Sequence, residues 1–79
     1  MQYSEKDLPV RLHDGEMLVL SDGNEVRWES NGEAKAIFIG SSFDATMELF
    51  PGQEETVNIG GNNFVLTAFF EDALEVKKV

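Results

Sequence analysis

Phe64-Val65-Leu66-Thr67-Ala68-Phe69-Phe70 is the stretch whose reading decides the fold of this chain. Six of its seven residues are apolar, and the run is too short for an independent helix. Turn-forming residues bound it, Gly60-Gly61-Asn62-Asn63 before and Glu71-Asp72 after. A continuous apolar run between turn signals is the pattern of a strand covered on both faces. Side chains alternate along a strand, so Phe64, Leu66, Ala68 and Phe70 point one way and Val65, Thr67 and Phe69 the other. Such a strand needs a neighbour on each side. The rest of the chain is expected to supply them.

Outward from this run the punctuation is regular. Asp14-Gly15, Asp22-Gly23-Asn24, Asn31-Gly32, Gly40-Ser41-Ser42 and Pro51-Gly52 mark turns about every 8–12 residues, the rhythm of an all-β barrel or sandwich. Eight candidate strands lie between the marks: 8–13, 16–20, 25–29, 34–39, 43–50, 56–59, 64–70 and 73–78. Pro9 lacks a backbone donor and suits an edge or a strand start. In 25–29, Val26 and Trp28 alternate with Glu25, Arg27 and Glu29, giving one dry face and one wet face. Apart from Lys35, 34–39 is apolar on both sides and is the second central strand. In 43–50, Ala45, Met47 and Leu49 alternate as in a strand, while Ser42 could instead cap two helical turns. The strand is preferred, because so short a helix is marginal alone. Residues 1–7 are polar and read as a flexible N-terminus, with 8–79 as a single all-β domain.

Composition narrows the function classes. A chain of 79 residues has a thin core, and domains of this size usually need an additional staple. There is no cysteine and one histidine, which removes disulfides, thiolate sites, a cysteine nucleophile and a multi-histidine metal site. No cofactor is expected, and the remaining staple is a homodimer formed through exposed strand edges. The net charge is −9, from fifteen acidic and six basic side chains. Beyond Lys77-Lys78 there is no basic block, so direct binding to nucleic acid or to an anionic membrane is disfavoured. The acidity either keeps a small protein soluble or mimics nucleic acid toward a basic partner. Met1-Gln2-Tyr3-Ser4-Glu5-Lys6-Asp7 has neither a basic nor an apolar leader region, and no apolar run approaches the ~20 residues of a membrane helix. The expected location is the cytoplasm.

Each candidate site competes with a plain structural explanation. His13 stands beside Asp14 with Glu16 near, a pairing suited to acid–base work, yet no nucleophile or second base accompanies it. A solvent-facing histidine at a strand end explains it better. Asp22, Asn24 and Glu25 resemble the start of a calcium loop, but Val26-Arg27-Trp28 follows where further oxygen ligands belong, and a hairpin fits. Gly60-Gly61-Asn62-Asn63 leads into a strand and not a helix, which removes the phosphate-cradle reading. Ser41 and Ser42 have no histidine at a diagnostic spacing. Trp28 is the residue best suited to a binding hot spot, although its alternating strand favours the core. Arg11, His13 and Arg27 lie opposite the core faces of their strands. With Trp28 they form the candidate binding surface.

The order of features carries one resemblance. Leu12-x-x-Gly15 and Leu18-x-Leu20 precede Gly23 and Val26-Arg27-Trp28; Leu49-Phe50-Pro51-Gly52, an alternating strand, the Gly-Gly turn, the apolar run and Glu71-Asp72-Ala73-Leu74-x-Val76 follow. In outline this resembles the short bacterial proteins of unknown function that form a cupin-like small β-barrel. The resemblance spans about residues 8 to 78 and implies a cupin-like roll or barrel. It does not extend to the metal chemistry common in the wider cupin superfamily. No histidine lies between Glu33 and Leu49, and Gln53-Glu54-Glu55-Thr56-Val57 after Pro51-Gly52 brings none. Fold does not carry function by itself. The expectation is therefore a non-enzymatic binding or interaction module with a protein partner. The rival readings are a metal-free cupin holding a small molecule in its barrel, and an acidic inhibitor or nucleic-acid mimic of the phage or mobile-element type.

Overall fold

The computed structural model describes residues 2–30, 35–39, 44–70 and 72–79. The turns expected at Asn31-Gly32 and Gly40-Ser41-Ser42 lie outside these residues, as do both serines. Among the described residues the chain is all-β, with nine strands and one 3-10 turn: β1 Gln2–Ser4, the turn Glu5–Asp7, β2 Val10–Leu12, β3 Met17–Val19, β4 Glu25–Glu29, β5 Lys35–Ile39, β6 Asp44–Glu48, β7 Glu54–Ile59, β8 Asn62–Ala68 and β9 Leu74–Lys78.

The strands form two sheets, one in the order β1-β3-β4-β5-β6 and the other β2-β9-β8-β7. Both strands read as central have a neighbour on each side, β8 between β7 and β9 and β5 between β4 and β6. All pairings are antiparallel except β1 with β3. Parallel neighbours need a crossover. Here the chain leaves the first sheet after β1, runs through β2 in the second, and returns as β3.

Two sequence expectations need correction. Residues 1–7 were expected to be a flexible N-terminus, but Gln2–Ser4 pairs with Met17–Val19 as an edge strand. Ser4 then begins the 3-10 turn, with its amide donating to Asp7 Oδ2 at 2.8 Å. The apolar run is not covered on both faces. Its strand starts at Asn62 and ends at Ala68, two residues earlier than Phe64–Phe70 predicts. Phe64, Leu66 and Ala68 are buried, Val65 and Thr67 half-buried, and Phe70 is 85% exposed. At 43–50 the strand reading holds, as β6.

The core lies between the sheets. Leu18, Val26 and Trp28 from the first sheet meet Leu12, Phe64, Leu66, Leu74 and Val76 from the second. Period-2 alternation explains the selection: β4 buries Val26 and Trp28 while Glu25, Arg27 and Glu29 face outward, half-buried. The edge strand β7 protects itself with charge. Glu55, opposite Leu66, carries a carboxylate on the core side of the edge and accepts from Gln53 Nε2 at 3.2 Å. A charge so placed opposes pairing with a foreign strand.

At the end of the sandwich holding the β3–β4 turn, that turn abuts the β7–β8 turn. Asp22 accepts from the Asn24 backbone and side-chain nitrogens at 3.0 and 2.8 Å, and Asn24 is buried. Gly60 has φ +60°, and a Cβ there would collide with Asp22 Oδ2. Gly60→Ala therefore combines a left-handed alanine with displacement of the carboxylate that satisfies a buried amide. It is expected to lower stability by about 2–4 kcal/mol. Gly61→Ala, with φ +87° but open space around the new methyl group, is expected to show the backbone part alone, about 1–2 kcal/mol. Urea melts of the pair check this, and equal losses would contradict the turn-on-turn contact.

Candidate functional site

The four candidate residues do not come together. Trp28 lies in the core, the side its alternating strand favours, and not on a binding surface: it is 1% exposed, and its Nε1 donates to the Asp72 carbonyl at 2.9 Å. Arg11 lies on the outward side of β2 and Arg27 on that of β4, so the two guanidinium groups belong to different sheets. Arg27 stands between Met17 and Ile37 in the strand register, and its buried Nε has no hydrogen-bond partner among the described residues. Arg11 lies over the Phe69 ring, 4.3 Å from its centroid. No shared binding surface results.

His13 pairs with Glu16 and not with its sequence neighbour Asp14. Its amide donates to Glu16 Oε1 at 2.7 Å, and Nδ1 lies 3.2 Å from the same oxygen. Asp14 Oδ1 instead accepts from the Ser30 amide at 2.8 Å and ties the β2–β3 loop to the end of β4. The Tyr3 hydroxyl donates to Glu16 Oε2 at 3.4 Å. The backbone hydrogen bond from His13 holds the Glu16 carboxyl below its ordinary range, while burial pushes the Tyr3 hydroxyl upward, helped by the Glu16 charge. The cluster is on the open surface, with His13 exposed. Its visible work is to fasten β1 and the β2–β3 loop.

A second carboxylate fastens the other end of the N-terminal segment. Glu5 Oε2 accepts from Lys78 Nζ at 3.0 Å, and Glu5 Oε1 accepts from the Ser21 hydroxyl and amide at 3.1 and 3.3 Å. The Lys78 bond, followed by those from Ser21, lowers the Glu5 pKa. Around this network is a groove of about 670 Å³ with Leu8, Val19 and Leu20 as its apolar part. A carboxyl whose folded pKa is depressed contributes stability that is full above its unfolded value and is lost as pH falls through its folded value. The ordinary value here is 4.5 for both groups, so the loss begins near there and runs to lower pH. Wild-type protein is therefore expected to lose more urea resistance between pH 6 and pH 3 than the Glu5→Gln/Glu16→Gln double variant. Identical losses would show that these contacts add nothing.

The feature that sequence reasoning missed is at the end opposite this groove. There the β6–β7 and β8–β9 turns come together on Ala68: the Gly52 amide donates to the Ala68 carbonyl at 2.8 Å, and the Ala68 amide to the Gln53 carbonyl at 3.0 Å. The first turn is Phe50-Pro51-Gly52-Gln53, closed by a Gln53 to Phe50 backbone bond of 2.9 Å. Pro51 fixes its first corner, and Gly52 takes the positive φ of +90° that the second corner of a type II turn requires. The second turn is closed by the Asp72 amide donating to the Phe69 carbonyl at 3.2 Å. Asp72 follows at φ +59°, a left-handed conformation that aspartate tolerates, and the Phe69 amide donates to the Ala73 carbonyl at 2.8 Å. Two defined turns thus present Phe50, 66% exposed, and Phe70, 85% exposed. Trp28 holds the second of them through the Asp72 carbonyl, so the buried indole positions the exposed phenylalanine.

Carboxylates stand at this end too, as Glu5, Asp7, Asp22 and Glu25 stand at the other. Asp14, Glu29, Glu48, Glu54, Glu55 and Asp72 all lie in the turns or strand termini at the end bearing the two phenylalanines. Lys35 stands in register with Glu29 and Glu48 at this end. Lys6, Lys77 and Lys78 lie toward the opposite end, with Lys77 3.7 Å from Glu75. Among the described residues no group of three or more histidine and acidic side chains could hold a metal ion. No described helix is long and apolar enough to cross a membrane. Comparison with protein-family models, with curated proteins and with solved structures finds no match for this chain.

Proposed function

We propose that this protein is a non-enzymatic interaction module of the cytoplasm, and that it engages a protein partner through the end bearing Phe50 and Phe70. One observation carries the reading: two phenylalanines stand out in solvent on turns whose backbones are pinned to the core. Exposed apolar side chains scattered singly need no explanation, but two aromatics presented at one end of the fold on pinned turns suit a contact surface. Holding them in place before binding reduces the ordering cost of association. Among the described residues, Trp28, Phe64 and the buried leucines pack between the sheets.

Proximity labelling or cross-linking in the native host, with wild-type protein and the Phe50→Ser/Phe70→Ser double variant, tests the proposal. Both residues are exposed, so the double variant is expected to melt within about 1 kcal/mol of wild type. It should lose the partner that wild type captures. A partner retained at full yield by the double variant would place the contact elsewhere. A nucleic-acid mimic or acidic inhibitor is the second reading, supported by the net charge of −9. Displacement of the partner by duplex DNA would support it. A homodimer through the strand edges is a separate proposal, and sedimentation over a concentration series decides it.

A further inference from the structure

We infer that the partner presents a cationic segment with apolar side chains, lysines or arginines flanking the groups that cover Phe50 and Phe70. The inference rests on the interaction reading above and adds the chemistry of the other surface. The two turns bearing the phenylalanines are bordered by Asp72 on one and by Glu48 and Glu54 on the strands flanking the other. Glu54 is also oriented, its Oε2 accepting from the Thr67 hydroxyl at 3.4 Å. The three carboxylates thus form a negative rim, each close along the chain to one of the two phenylalanines. A polar rim about a dry anchor is the anatomy of a protein interface.

Charge complementarity selects the occupant. Anionic lipid and nucleic acid are repelled by this rim, as they are by the net charge of −9. A second copy meeting end to end would place two negative rims face to face. A second copy meeting head to tail would have to offer Lys6, Lys77 and Lys78, but Lys78 is held by Glu5 and Lys77 lies against Glu75. Such a head-to-tail contact also does not close on itself and propagates into a filament. A cationic, apolar-bearing segment of another protein meets none of these obstacles. The rim speeds its approach, and the two aromatic rings determine how long it stays.

Two synthetic peptides test this. Both have the same length and the same leucine positions, one with lysine and the other with glutamine at the intervening positions. Each is titrated into nitrogen-15-labelled protein at low and at high salt. The lysine peptide is expected to shift the amide resonances of Phe50, Gly52 and Asp72 and to bind roughly tenfold or more tightly than the glutamine peptide at low salt. That margin should shrink at high salt as the charges are screened. The Phe50→Ser/Phe70→Ser double variant, folded as wild type, is expected to bind the lysine peptide roughly tenfold more weakly. Equal binding of both peptides at these turns overturns the cationic partner but leaves the interaction reading intact. Binding of the lysine peptide that ignores the double variant shows a diffuse counter-ion effect and overturns the inference. Neither peptide touching the turns defeats both readings together. The same resonances shifting with protein concentration alone would name a second copy as the occupant, and would also overturn it.

Discussion

Trp28→Ala is expected to remove a large share of the stability of this fold. The side chain is 1% exposed, at the centre of the sandwich, on a strand with neighbours on both sides. Removing a buried tryptophan to alanine costs about 3–5 kcal/mol, through lost contacts and the cavity left behind. A domain of this length holds roughly 4–12 kcal/mol in all. The change also strands the Asp72 carbonyl, which receives the indole N–H, and loosens the turn that carries Phe70. Trp28→Phe keeps a large ring but removes that donor, and is expected to cost about 1–3 kcal/mol for the unsatisfied group and altered packing. The two variants separate packing from hydrogen bonding. Far-UV circular dichroism in a urea series measures both, and a loss below about 1 kcal/mol for Trp28→Ala, in the range of surface changes, would contradict the core placement.

Leu66→Ala and Phe70→Ala form the second test, because the sequence treats these residues alike. Both lie in the same apolar run at even spacing, and strict alternation points them to the same face. In the structure Leu66 is fully buried in the middle of β8, with Glu55 and Val76 opposite it on the two neighbours. Phe70 is beyond the strand, on a turn. Leu66→Ala is expected to cost about 2–5 kcal/mol. Phe70→Ala is expected to change stability by no more than about 0.5 kcal/mol. Comparable losses in the two would mean that β8 runs on to residue 70 and would remove the exposed aromatic pair on which the functional proposal depends. Phe69 falls between the extremes, half-buried beneath the Arg11 guanidinium, so its truncation reports on that contact more than on the core.

What the sequence determined by itself is the all-β class, the two central strands and most turn positions. These follow from local chemistry: alternation of apolar and charged residues in Val26-Arg27-Trp28, two-sided apolar runs at 34–39 and 64–70, and Gly, Pro and Asn where the backbone must reverse. Trp28 as core was equally legible, from its place opposite Glu25, Arg27 and Glu29. The pairing of Gln2–Ser4 with β3 was not, because a polar edge strand has no hydrophobic signature and depends on a partner fifteen residues away. Nor was the choice of Glu16 over Asp14 as the partner of His13, which a loop backbone decides. The end bearing Phe50 and Phe70 was the least legible. Phe50 and Phe70 look like core residues in one dimension, since an apolar residue beside a strand reads as its continuation. Only the tertiary structure ends β8 at Ala68, because the hydrogen bonds that Ala68 makes to Gly52 and Gln53 close the ladder there and the chain must turn. Where a ladder ends depends on what lies across from it, and that neighbour comes from sequence far away.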